Sequence, residues 1–185
     1  MGIFDIIGPV MVGPSSSHTA GAARIGQTAR AILGEPVKEA RITLYGSFAK
    51  TGKGHGTDRA LAAGLMGYSP DSGTIRDALN IAKERGIDIS FYLSEEDMGH
   101  PNVARIEAYG IHGAHVVVVG RSLGGGRIMV TNITMWKSQG KSIPSSPGTM
   151  ISPGWWQRYV KSWLKRRLIF PPCVFSARAR EAMRS

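Results

Sequence analysis

The spacing of apolar residues changes along this chain from a helical repeat to a two-residue alternation. Ala22, Ile25, Ala29, Ile32 and Leu33 recur at helical spacing in a segment that Ser17 or Thr19 caps and Gly34 stops. Ala60, Leu61, Ala63 and Gly64 mark a second helix from Thr57 to about Met66. Ile75, Ala78, Leu79 and Ala82 mark a third, opened by Ser72 or Thr74 and closed by Gly86. Residues 40–45 alternate as a strand ending at Gly46. From residue 88 onward the pattern is that of strands. Ile89, Phe91 and Leu93 share a face, residues 103–108 alternate, and residues 115–119 form a continuous, mostly β-branched run. Residues 126–133 set Ile128 and Val130 against Met129 and Thr131. Glycine-bearing turns separate the last three runs, which favours antiparallel hairpins. Helices mainly first and strands mainly last predict an α+β fold, a mixed sheet with helices packed on it.

The formal net charge of +10 belongs to one end of the chain. Residues 1–132 hold 13 Lys+Arg and 12 Asp+Glu, whereas residues 133–185 hold 10 and 1. All four tryptophans (Trp136, Trp155, Trp156, Trp163) lie in that second part. The sequence thus divides into a neutral domain, 1–132, and a basic Trp- and Pro-rich tail, 133–185, expected to be disordered or loosely packed. A neutral body argues against nucleic acid as its partner, whatever the whole-chain charge. The first residues lack a basic n-region and a long apolar run, so no secretory signal is read, and no apolar segment is long enough to span a bilayer. One cysteine, Cys173, excludes an internal disulfide and any multi-thiolate metal site built from this chain alone. A reducing, cytoplasmic location is expected.

Two small-residue stretches present histidines ahead of helices. The first is Gly13-Pro14-Ser15-Ser16-Ser17-His18-Thr19-Ala20-Gly21, the second Thr51-Gly52-Lys53-Gly54-His55-Gly56-Thr57-Asp58. Read as loops, they let a backbone close around a small anion, because amides at a helix start are unpaired and carry partial positive charge. Locally, Ser15 to Thr19 read equally well as a helix cap. His55 between glycines makes a poor turn residue and points to function. His100, before Pro101, divides evenly between the two readings, while His112 and His115 flank an apolar run and read as structural. Gly124-Gly125-Gly126 is no dinucleotide fingerprint, since a strand follows it.

Together with Tyr45-Gly46-Ser47 and His100-Pro101-Asn102, these motifs resemble, in order and spacing, the β chain of the iron–sulfur-dependent L-serine dehydratases, from Phe4 to about Asn132. The resemblance implies a carbon–nitrogen lyase that converts L-serine to pyruvate and ammonia, a step in amino-acid degradation and gluconeogenesis. It implies an α-chain partner that carries the cysteine ligands of a 4Fe–4S cluster, so that this chain is active only in the pair. An open iron acting as a Lewis acid on the hydroxyl would ease the loss of a poor leaving group. The α-proton needs a base near working pH, for which histidine suits. By motif, His55 is the candidate base and His100 a second catalytic histidine. Ser15, Ser16, Ser17, His18, Thr19 and Lys53 are the candidate substrate-binding residues.

A similar domain serves as an allosteric substrate-binding domain in some phosphoglycerate dehydrogenases. The alternative function is therefore a non-catalytic regulatory domain for a carboxylate or phosphate. Many family β chains continue into an ACT domain, which residues 133–185 do not resemble as written. Codons for Gly154-Trp155-Trp156-Gln157-Arg158-Tyr159 regroup by one base into Val-Val-Ala-Glu-Val, like the opening of an ACT domain, so an out-of-frame end from Thr134 onward is expected. As rival readings, residues 155–167 could form a basic helix on a membrane surface or against nucleic acid.

Overall fold

The structure, a computed structural model, describes residues 10–137. The tail from residue 138, with its expected disorder and reading-frame shift, and residues 1–9 lie outside the described residues. The first element among the described residues is a π-turn, Ser16–Gly21, that runs directly into α1, Ala22–Leu33. β1 (Val37–Tyr45), α2 (Gly46–His55) and α3 (Thr57–Leu65) follow, then a 3-10 turn at Gly73–Asp77 that leads into α4 (Ala78–Glu84). β2 (Asp88–Ser94), β3 (Asn102–Gly110), β4 (Ala114–Gly124) and β5 (Arg127–Lys137) complete it.

The strands form one five-stranded sheet in the order β2-β1-β3-β4-β5. β1 and β2 are parallel, joined by the crossover that holds α2, α3 and α4, and every other pairing is antiparallel. The expected mixed sheet and the two late hairpins are therefore present. One row of the register crosses the whole sheet: Phe91 beside Ile42, Ile42 beside Ile106, Ile106 beside Val118, Val118 beside Ile133. All five belong to the core under the helices. At about 25 cal/mol per Å² of apolar surface removed from water, such a row specifies register strongly, since a one-residue slip would turn it outward.

The helices pack through very small residues. Gly26 of α1 faces the backbone of Leu61 and Gly64, and Gly64 of α3 faces the backbone of Ala23 and Gln27, so close that a Cβ at either would meet backbone atoms. α1 ends at Gly34, whose amide donates the last bond to the Arg30 carbonyl and whose φ of 75° turns the chain out of the helix.

Several local expectations are corrected. The cap at the first helix is Ser15, not Ser17 or Thr19; in extended conformation (φ −141°), its hydroxyl accepts the His18 amide. Residues 51–55 are helix, not loop. α2 forms despite its glycines because Phe48 is fully buried and the Pro101 carbonyl accepts the amides of Ser47 and Phe48. Gly46 (φ 55°) permits that approach, since a Cβ there would lie 2.6 Å from the Pro101 oxygen. Thr57 is the first residue of α3 rather than its cap, which is Gly56. Leu93, at the end of edge strand β2, is 63% exposed, whereas Ile89 and Phe91 pack on the core. β5 continues past the boundary at residue 132, pairing Trp136 with His115 and Lys137 with Ala114. A bulge at Thr131 shifts the alternation, so that Ile128 and Val130 before it and Ile133 and Met135 after it all face the core.

Candidate functional site

His18 is the centre of a hydroxyl cage. Its Nδ1 lies 3.3 Å from Ser15 Oγ and 3.2 Å from Ser17 Oγ, and its Nε2 lies 3.2 Å from Ser47 Oγ and 3.1 Å from Thr51 Oγ1. Ser15 is the cap of the π-turn, Ser17 lies within it, and Ser47 and Thr51 come from α2. Phe48 packs edge-on against the same imidazole, with ring centroids 5.2 Å apart. The serine stretch is also tied to the sheet: Ser122 Oγ donates to the Ser17 carbonyl at 2.9 Å, and the Gly125 amide donates to Ser16 Oγ at 3.2 Å. Gly21 must lack a Cβ because one would collide with Ser122 Oγ.

Burial, and secondly the neighbouring His55, hold the His18 pKa below the ordinary histidine value, against the opposing effect of a hydrogen bond to the Ser47 backbone. A neutral ring in a cage of hydroxyls is self-consistent, since hydroxyls serve either tautomer.

His55, the last residue of α2, brings its ring to 4.8 Å from that of His18, edge to face at 68°. Gly56, with φ 69°, turns the chain there from α2 into α3. The two histidine stretches that the sequence singles out thus meet in space. His18 is 8% exposed and His55 is exposed, so of the two it is His55 that a ligand can reach.

His100 is placed differently. Its Nδ1 accepts the Asn102 amide at 3.1 Å, and the adjacent Pro101 carbonyl holds the start of α2. Among the described residues no ring contact or hydrogen bond joins it to His18 or His55. Thr19 is buried with an unpartnered hydroxyl. Lys53 falls within α2. The amides of His18 and Thr19, expected to be ligand donors, are engaged inside the π-turn by the Ser15 side chain and carbonyl.

A cleft of about 290 Å³ lies beside His55, lined also by Gly13, Thr19, Arg59, Ile75 and Arg76. Ser47, Thr51, Arg59 and Arg76 were not singled out from the sequence. Ser47 and Thr51 stand inside motifs already quoted, and Arg59 follows Thr57-Asp58 directly. Arg76 sits in a turn with no signal in the sequence. Among the described residues no group of three or more His, Cys, Asp or Glu side chains converges to hold a metal ion. No helix among them is long and apolar enough to cross a membrane.

The chain is similar to a named protein family and to several curated proteins. The family described as Serine dehydratase beta chain matches residues 2–86. A Bacillus subtilis protein named "Probable L-serine dehydratase, beta chain" is 47% identical over 131 residues, which cover 71% of this chain and 59% of that one. "L-serine dehydratase, beta chain" of Peptoniphilus asaccharolyticus is 43% identical over 131 residues, 70% of this chain and 59% of its own length. "L-serine dehydratase 2" of Escherichia coli is 42% identical over 76 residues, 16% of its length. The chain therefore spans under two thirds of the curated relatives it matches.

Proposed function

Because this chain belongs to the serine dehydratase beta chain family, we propose that it supplies one half of the active site of an L-serine dehydratase, a lyase yielding pyruvate and ammonia. The other half is an α chain. The described residues do not fit a 4Fe–4S cluster, having no thiolate and no converging ligand set, so the cluster is assigned to that α chain.

The observation that carries the reading is the approach of His55 to His18 at 4.8 Å. His55 is exposed at a helix end and is the base for the proton on the substrate Cα. His18, ringed by Ser15, Ser17, Ser47 and Thr51, is a positioning residue. Its edge fixes the face of His55, and its lowered pKa keeps a second positive charge away once His55 takes the proton. His100 contributes through the Pro101 carbonyl, which holds the end of α2 that carries Ser47. A purely anion-binding regulatory domain would have no use for an exposed imidazole at that position.

The test is anaerobic co-expression with the α chain and a pyruvate assay on L-serine. His55→Ala is expected to lower kcat by about 10²–10⁴-fold, the usual worth of a general base, while the cluster spectrum of the pair stays unchanged. Turnover at the wild-type rate would refute the assignment.

A further inference from the structure

Arg59 reaches the cleft beside His55 from α3, and Arg76 from the 3-10 turn ahead of α4. Neither guanidinium is paired with a carboxylate among the described residues, and no Asp or Glu lines the cleft. Asp58, the acid next to Arg59 in sequence, directs Oδ1 to the Arg59 backbone amide at 2.8 Å. Gly56, the cap of α3, lines the cleft between His55 and Arg59.

An independent observation points the same way. Thr19 is 1% exposed, lines this cleft, and its Oγ1 has no hydrogen-bond partner. That hydroxyl faces Gly13, also in the cleft lining, where a Cβ would collide with it. Leaving such a group unpaired is unfavourable, so an arriving acceptor is favoured. Two guanidiniums and an orphan hydroxyl are all donors, and guanidinium forks match carboxylates. The volume suits a small acid and not a nucleotide.

We propose that Arg59 and Arg76 bind the carboxylate of a small 2-amino or 2-keto acid in this cleft, with Thr19 Oγ1 as a third donor. The acid is thereby placed against His55. The inference rests on the proposed lyase reading and names the residues that anchor its substrate and product.

Two measurements test it. The full chain is titrated with pyruvate, and the assembled pair is assayed with L-serine. Arg59→Gln and Arg76→Gln are each expected to weaken pyruvate binding by about tenfold or more. In the pair they should raise KM by a similar factor with kcat within about threefold, the mark of lost ground-state binding. Arg76→Lys, which keeps charge but loses the fork, should fall between. Arg85→Gln, an exposed change outside the cleft, should match wild type. Wild-type binding in both Gln variants, or equal weakening in Arg85→Gln, overturns the proposal. Pyruvate binding that needs Arg76, in a pair with no turnover, supports the cleft and sinks the lyase reading. Turnover with unchanged KM in both Gln variants does the reverse.

Discussion

On the helix-covered side of the sheet, His18 meets hydroxyls and rings; on the opposite face, His115 meets a carboxylate and lies between two aromatic planes. His115 Nε2 is 3.1 Å from Glu107 Oε1, and its ring stacks at 4.2 Å on Tyr109 and at 4.4 Å on Trp136. Tyr109 in turn donates to Glu107 at 2.8 Å, and Arg105 adds a contact at 3.3 Å. The two histidines differ in what surrounds them. His18 is kept neutral and next to an accessible imidazole, which is a setting for chemistry. His115 has its charge partner and both ring faces occupied, which is a setting for cross-strand stability. The backbone differs as well. On the helix side α1 and α3 meet at Gly26 and Gly64, where a Cβ would meet backbone atoms, whereas the opposite face carries the exposed Arg41.

The sharpest break of this comparison is steric. Gly64→Ala places a methyl against the Ala23 carbonyl and should cost about 1–3 kcal/mol, with a Tm fall of several degrees by thermal denaturation. Arg41→Ala, on the opposite face and exposed, should leave the Tm essentially unchanged. Equal losses would remove the distinction between a tight and a tolerant side.

The next effect is in pH. The folded-state pKa of His18 lies below its ordinary value of 6.5, chiefly through burial. Above 6.5 the group is neutral in both states and contributes nothing to the pH dependence. As pH falls from 6.5 toward the lowered value, the unfolded chain takes up a proton that the folded chain does not, so stability declines. His18→Gln should abolish that decline, measured by urea unfolding at pH 8 and at pH 5.5.

The smallest effect belongs to Glu107. Burial works to raise its pKa, but the Tyr109 hydrogen bond, the Arg105 charge and His115 outweigh it, and the net direction is down from 4.5. Its stabilisation is present above 4.5 and lost as pH falls below that through the folded value. Solvent access to the cluster keeps the term small, and Glu107→Gln should flatten the urea midpoint between about pH 5 and pH 3 by a few tenths of a kcal/mol. A larger change there than at His18 would invert the comparison.

How much was legible follows the same division. α1, its stop at Gly34, β1 and the late hairpins can be read from spacing, and the His18 and His55 stretches from motif, though not their meeting. α2 cannot, because Gly52 and Gly54 hide any apolar period and a carbonyl from Pro101 organises its first turn. The bulge at Thr131 cannot, because one inserted residue looks like a lapse of alternation until Ile133 and Met135 are seen to share the core with Ile128 and Val130. The boundary at residue 132 followed the change in charge, and strand pairing runs through it to Lys137.

The sequence by itself determined the α+β class, the two histidine stretches and the neutral character of the domain, because periodicity, motif and charge are properties of local order along the chain. Only the tertiary structure decided that His18 is buried and caged while His55 is exposed, that Ser47 and Thr51 complete the cage, and that Arg59 and Arg76 share one cleft with no acid in its lining. Burial and the meeting of groups distant in sequence depend on how α2 and α3 lie against the π-turn, and no local spacing encodes that distance.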